Sequence, residues 1–233
     1  MFLRTAIKKT LLLLLSISIT PAFSIMKPES SMLFINEEDG GGSINVQNVD
    51  PEEALLYVKI IDLPDDPLPK LLVTQPVMRV GAEKTQRVRF ILKNDRPLEH
   101  EHLKRVTFEG IRPKNNEESN EISINIRHNI PIIIHPKGLP ILSEPWKELS
   151  WEQNGSEIKV INPGKYVVRL SQNVKLLPSG RSATLDKSYI LPGQTLNIKA
   201  DQNKTGEKVQ KVSIQTLSKY GYETGTVEMP VAH

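Results

Sequence analysis

Short segments in which apolar and polar residues alternate run along most of the chain, and no window of a dozen residues keeps an apolar stripe at helical spacing. The alternation predicts strands at 32–36, 43–48, 54–63, 85–92, 104–111, 121–134, 156–161, 166–170, 188–191, 194–200, 208–217 and 223–231. Seventeen prolines and thirteen glycines punctuate them. Strands this short at this spacing predict an all-β chain of sandwiches with turn-rich connections. The pattern breaks at His135-Pro136-Lys137-Gly138-Leu139-Pro140, which sets domains at 25–135 and 142–233 with a linker at 136–141. Two polar stretches, 94–101 and 114–120, read as mobile surface loops.

The N-terminus changes the picture of where the chain works. Arg4, Lys8 and Lys9 precede an apolar run over 11–19, and Ala22-Phe23-Ser24 offers small residues for cleavage, so 1–24 reads as an export signal. That run is too short for a membrane span, and no later stretch approaches the roughly 20 apolar residues a span requires. No membrane insertion is expected. The remainder, roughly 200 residues, suits two domains. With no cysteine, disulfides, thiol chemistry and cysteine metal sites are excluded. The net charge of +3 comes from interspersed acidic and basic residues, part of it inside the signal, and gives no support to a nucleic-acid partner.

Between Ile122 and Ile130 the sequence places Ile122, Ile124, Ile126 and Ile130 on one face of a strand and polar residues on the other. Such a row either faces the core of its own sandwich or is offered to a partner; pattern alone leaves both open.

A resemblance bears on that choice. Gln75-Pro76-Val77-Met78-Arg79-Val80-Gly81, followed by a strand to Arg89, resembles the signature of periplasmic pilus-assembly chaperones, without the turn's usual second proline. Arg105-Val106-Thr107-Phe108 is similar to the family's next strand, and the isoleucine row ending at Ile134-His135-Pro136 to its long last strand and linker. Asn162-Pro163-Gly164-Lys165-Tyr166 and Leu191-Pro192-Gly193 resemble motifs of its second domain. The resemblance implies two immunoglobulin-like sandwiches arranged as an L, located in the periplasm. It also implies partners, namely pilus subunits and an outer-membrane usher, and a mechanism in which the long strand completes a subunit's unfinished sheet. On that reading Ile122, Ile124, Ile126 and Ile130 are the donor residues. The exposed edge leaves self-association of the free chain open.

The match has a gap. In the better-known branch an arginine on the first strand and a lysine late on the long strand grip the subunit's C-terminal carboxylate, and here those positions hold Ser30 or Ser31 and Pro131. The alternate, archaic branch resembles the chain better and points to Arg105 as the anchor, with Arg89 next and Arg127 and Lys104 behind. Each has an ordinary reading as a solvated or ion-paired strand residue, Arg105 with Glu109 in particular.

Other signals carry less. His100-Glu101-His102 lacks a placed third ligand, so no metal is expected. No Gly-x-Ser-x-Gly elbow occurs, no catalytic constellation is present, and neither enzyme activity nor a cofactor is expected. Trp146 and Trp151 read as core or interdomain packing. The alternative function is a secreted structural pilus subunit or adhesin with immunoglobulin-like domains.

Overall fold

The computed structural model describes residues 25–112, 126–200, 208–218 and 221–233. The export signal predicted at 1–24, the polar stretch 114–120, and Ile122 and Ile124 lie outside the described residues.

The first half of the chain forms two facing sheets. One has the order β1 (Met26–Pro28), β3 (Gly41–Asn48), β7 (Thr85–Lys93), β5 (Lys70–Val73). The other has the order β2 (Leu33–Asn36), β9 (Arg127–His135), β8 (His102–Ile111), β4 (Ala54–Asp62), β6 (Val77–Val80). Alternation does what it predicts. Ile44, Val46, Val88 and Phe90 point inward from the first sheet and meet Leu56, Val58, Val106, Phe108, Ile132 and Ile134 from the second. The turns are tied by buried polar groups as well: Asn48 Nδ2 donates to the carbonyls of Glu52, Val80 and Gly81.

The second half holds β10 (Ser150–Asn154), β11 (Glu157–Ile161), β12 (Val168–Leu177), β13 (Arg181–Leu185), β14 (Tyr189–Ile190), β15 (Thr195–Ala200), β16 (Lys211–Leu217) and β17 (Glu223–Pro230). The order β10-β11-β15-β13-β12-β16-β17 makes one continuous sheet, with β14 beside β12. Past β17, Ala232 bridges back to β10, where Gln153 N–H donates to Ala232 O at 2.8 Å and Ala232 N–H to Trp151 O at 2.8 Å. The sheet thus wraps onto itself around Trp151, Val160, Leu170, Val174, Leu176 and Ile214, and little edge remains to recruit another chain. Trp146 and Trp151 are both core residues, 5% and 2% exposed. Asn162 is buried, its Nδ2 donating to the Tyr166 and Ile190 carbonyls, which is the local work of the Asn-Pro-Gly-Lys-Tyr motif. In the following turn Gly193 sits at φ 73°, a conformation that costs little only for glycine.

A third apolar cluster joins the two halves: Met32, Leu63, Leu103 and Ile133 from the first, Val167 and Leu191 from the second. Buried Glu101 is its polar core. One carboxylate oxygen accepts from Val167 N–H at 2.8 Å and the other lies 2.8 Å from His135 Nδ1. His135 Nε2 faces the Leu139 carbonyl at 2.8 Å, so Nε2 carries a hydrogen and one proton is shared between Nδ1 and Glu101. Burial pushes the Glu101 carboxyl above its ordinary range, against the opposing pull of His135 and the Val167 N–H.

At the rim, Asp65 accepts from Lys187 Nζ and from Gln194 Nε2. Burial raises the Asp65 carboxyl, but these donors outweigh it and hold it below its ordinary value of 3.8. Asp65 holds Lys187 above 10.5. A depressed carboxyl contributes stability above its unfolded value and loses it as pH falls; a raised amine contributes below its unfolded value and loses it as pH rises. The Tm difference between wild type and Asp65→Asn is therefore expected to be flat from about pH 5 to 9 and to shrink below about pH 4, as thermal unfolding across pH would show.

Candidate functional site

Strand β9 is covered unevenly. On one side β8 pairs with it from Arg127 to Ile134. On the other, β2 runs parallel to it over Ile132 to His135 and goes no further. Among the described residues, Arg127–Pro131 therefore has no strand on its outer side. Pro131 lacks an N–H, which is tolerable at an edge and costs a ladder bond inside a sheet.

Side-chain parity along this strand is fixed by its inner end. Ile130, Ile132 and Ile134 point into the first core and are 7%, 0% and 0% exposed. Ile130 is thus part of the first sandwich's own core. Ile126 lies on the same face but is half-buried, just beyond the last β8 pairing of Glu109 with Arg127. Ile130→Ala is expected to destabilise the free protein by about 2–5 kcal/mol through the cavity it leaves, measured by denaturant unfolding. On the opposite face Ile133 is buried in the interdomain cluster and not in the core of its own sandwich.

The basic candidates scatter. Arg105 stands opposite Pro131 across the β8–β9 ladder. Its Nε donates to Asn129 Oδ1 and its Nη2 to Asn129 O, each at 2.7 Å, so its partners are neutral and its expected pairing with Glu109 does not form. Glu109 is taken by Arg127, with Nε at 2.8 Å. Arg89 is exposed on β7, paired with Ser43 of β3 in the sheet that does not contain β9, and is not brought to the β9 edge. Lys104 is fully buried, donating to the Asp66 carbonyl and lying 3.4 Å from Asp62, with burial pulling its pKa down. It locks the Asp66 turn and cannot reach a ligand. His102 Nδ1 is held 2.7 Å from Asp66, so the His-Glu-His segment serves packing between elements.

One residue the sequence reading missed stands beside Arg105. Arg169 on β12, paired across strands with Tyr189, is half-buried, and its Nη1 lies 3.1 Å from Met32 Sδ at the head of β2. It lines a cleft between the halves with Phe34, Ile133, Leu217 and Ser218. Burial, and then the Arg105 charge, pull its pKa below the usual guanidinium value.

Two family descriptions match nearly all of the described chain: pili and flagellar-assembly chaperone, PapD N-terminal domain, over residues 25–140, and pili assembly chaperone PapD, C-terminal domain, over 144–226. The chain belongs to the pilus-assembly chaperone family. The chaperone is 44% identical over 198 residues to the fimbrial chaperone YhcA of Escherichia coli K12, spanning 84% of this chain and 86% of that one. Its fold is shared by a chain from the Salmonella enterica complex of SafA pilin with the SafB chaperone (TM-score 0.72, 17% identity, 91% and 98% coverage). The E. coli chaperone DraB shares it as well (TM-score 0.69, 17% identity, 88% and 98% coverage), as does a chain from the Acinetobacter baumannii CsuC–CsuE chaperone–tip adhesion subunit complex (TM-score 0.62, 18% identity, 89% and 99% coverage). The family match favours a chaperone over the alternative of a pilus subunit or adhesin.

Proposed function

We propose that this chaperone works in the periplasm, where it holds a pilus subunit along the open edge of β9 and delivers it to an outer-membrane usher. The observation that carries the reading is that, among the described residues, no strand lies on the outer side of β9 before Ile132, while the inward row of β9 runs through Ile130, Ile132 and Ile134. A second chain's strand laid along that side extends the sheet by main-chain hydrogen bonds, and parity carries the row outward from Ile130 through Ile126 to Ile124 and Ile122. Ile130 seals the chaperone's own core, so Ile122, Ile124 and Ile126 are the groove-filling residues. An unfinished subunit sandwich exposes an apolar groove and sheet edges that would aggregate, and one added strand covers both. Each buried isoleucine stabilises by roughly 1.5–3 kcal/mol, enough to hold a subunit yet exchangeable for a better-fitting strand.

Arg105 is the first anchor for the subunit's terminal carboxylate, since it lies beside Pro131 and its hydrogen bonds go to neutral acceptors. Arg127 and Arg89, one committed to Glu109 and one on the far sheet, are set aside. Binding of this kind uses no catalytic group and no cofactor. Support for the partners comes from the SafB and CsuC chaperones, whose solved complexes hold a pilin and a tip adhesion subunit. Co-expression with its subunit in a periplasm should raise soluble subunit from near nil to a stoichiometric complex; subunit that accumulates equally without the chaperone would contradict this.

A further inference from the structure

We infer that His100 and His102 form a binding site for one divalent transition-metal ion of the class imidazole prefers, zinc or copper, apart from the edge that holds a subunit. The geometry begins with alternation. His100 just precedes β8 and His102 opens it, so two rings two residues apart leave an extended chain on one side. Glu101 between them turns the other way, into the domain junction. Both rings line an open cleft of about 760 Å³ between the β4–β5 and β7–β8 connections, and no residue of β9 takes part in it.

Sequence spacing alone places no third ligand and so gives no metal; the hydrogen bonds that pack these rings change that by deciding which nitrogen is left over. His100 Nδ1 lies 3.0 Å from the Glu101 carbonyl, which can only accept, so Nδ1 carries the hydrogen. His102 Nδ1 is held 2.7 Å from Asp66 Oδ1, and the other Asp66 oxygen accepts from Leu103 N–H at 2.7 Å. In each neutral ring the lone pair therefore sits on Nε2, and among the described residues neither Nε2 has a hydrogen-bond partner. A carboxylate behind a histidine fixes the ring and makes it a better donor, the usual setting of a metal-bound imidazole.

The spacing agrees. Two imidazoles that share an ion through Nε2 at about 2.0–2.1 Å have ring centres roughly 4.5–5 Å apart, and the two centroids already stand 4.4 Å apart. The charges lining the cleft do not oppose a cation: Lys70 is held by Asp62 at 2.9 Å, and Asp95 and Glu99 offset Lys93 and Arg96. Among the described residues no group of three metal-binding side chains forms, so water fills the remaining positions and the ion exchanges readily. Once bound, it joins the β7–β8 connection to Asp66 in the β4–β5 connection through the two rings.

The test titrates zinc chloride, and separately copper chloride, into the purified chaperone without a histidine tag, by isothermal titration calorimetry. Wild type is compared with His100→Ala and with His128→Ala, a histidine outside the cleft, and calcium chloride serves as a hard-ion comparison. Wild type and His128→Ala should bind one zinc ion per chain, and neither should bind calcium. Removing one of two protein ligands should cost His100→Ala more than the roughly tenfold typical of losing an outer-shell partner. A second measurement needs no substitution: in wild type, one equivalent of zinc should shift the ring C–H resonances of His100 and His102 and leave those of His128, His135 and His233 in place. A wild type that takes up neither metal, equal zinc affinity in wild type and His100→Ala, or zinc shifts confined to the other three histidines would overturn the assignment.

Discussion

Ile124→Asp and Ile126→Asp should each leave the chaperone folded and nearly abolish recovery of its subunit. A carboxylate placed in an apolar groove must be desolvated without a partner, which costs more than the isoleucine contact it replaces, itself roughly 1.5–3 kcal/mol. Together these exceed a hundredfold loss in affinity, at about 1.4 kcal/mol per tenfold. Ile126 is half-buried in the free chain, so its replacement should cost the free protein little compared with Ile130→Ala. Co-purification from periplasmic extract, with thermal unfolding of the free variants alongside, separates the two effects. Undiminished recovery from both aspartate variants would exclude these side chains from the subunit groove.

Glu101→Ala should be the most damaging single change at the domain junction. It removes the acceptor of the buried Val167 N–H and leaves His135, 4% exposed, facing an empty space with a ring proton to place. Removing one member of a buried polar pair typically costs about 3–5 kcal/mol, which for a chain of this size lowers Tm by roughly 10 °C. Glu101→Gln, which keeps an acceptor for Val167, should lose less. Differential scanning calorimetry reads both, and an Ala variant melting like wild type would contradict the role given to this pair. Since Glu101 and Val167 belong to different domains, the same change should also loosen their mutual orientation.

What could be read from the sequence follows from what alternation can and cannot encode. Strands with a clean two-residue period, such as β4, β7 and β8, were predicted within two residues of their ends. Strands β1, β5, β6, β10 and β13 were not predicted. In β6 only Met78 and Val80 point inward, and in β13 only Ala183 and Leu185, too few to register as a pattern. The distal half of β12 was lost because Ser171-Gln172-Asn173 interrupts the alternation where the register shifts between Leu170 and Val174. Conversely, the isoleucine row could not say by itself where the core ends and the open edge begins, because Ile126 and Ile130 share one parity and differ only in what covers them.

The junction residues were the least legible. Glu101 sat at the end of a stretch read as a mobile loop, yet it is buried, and its partners lie 34 and 66 residues away. No local pattern announces such a pairing. Lys104, weighed as an anchor, is drawn inward by Asp62 at the end of β4 and by Asp66 in the β4–β5 connection. Arg169 carried no signal, being one basic residue between apolar neighbours on a strand. Its surroundings, Met32 and the charge of Arg105, are contributed by the other domain.

The central claim, that another chain's strand lies along β9, is tested most directly by amide hydrogen exchange across residues 121–130 in the free chaperone and in its subunit complex. The account predicts strong slowing at alternate amides in this segment on complex formation, with β17 and the rest of the second sheet little changed. Exchange rates in 121–130 that stay the same while a stable complex forms would contradict it.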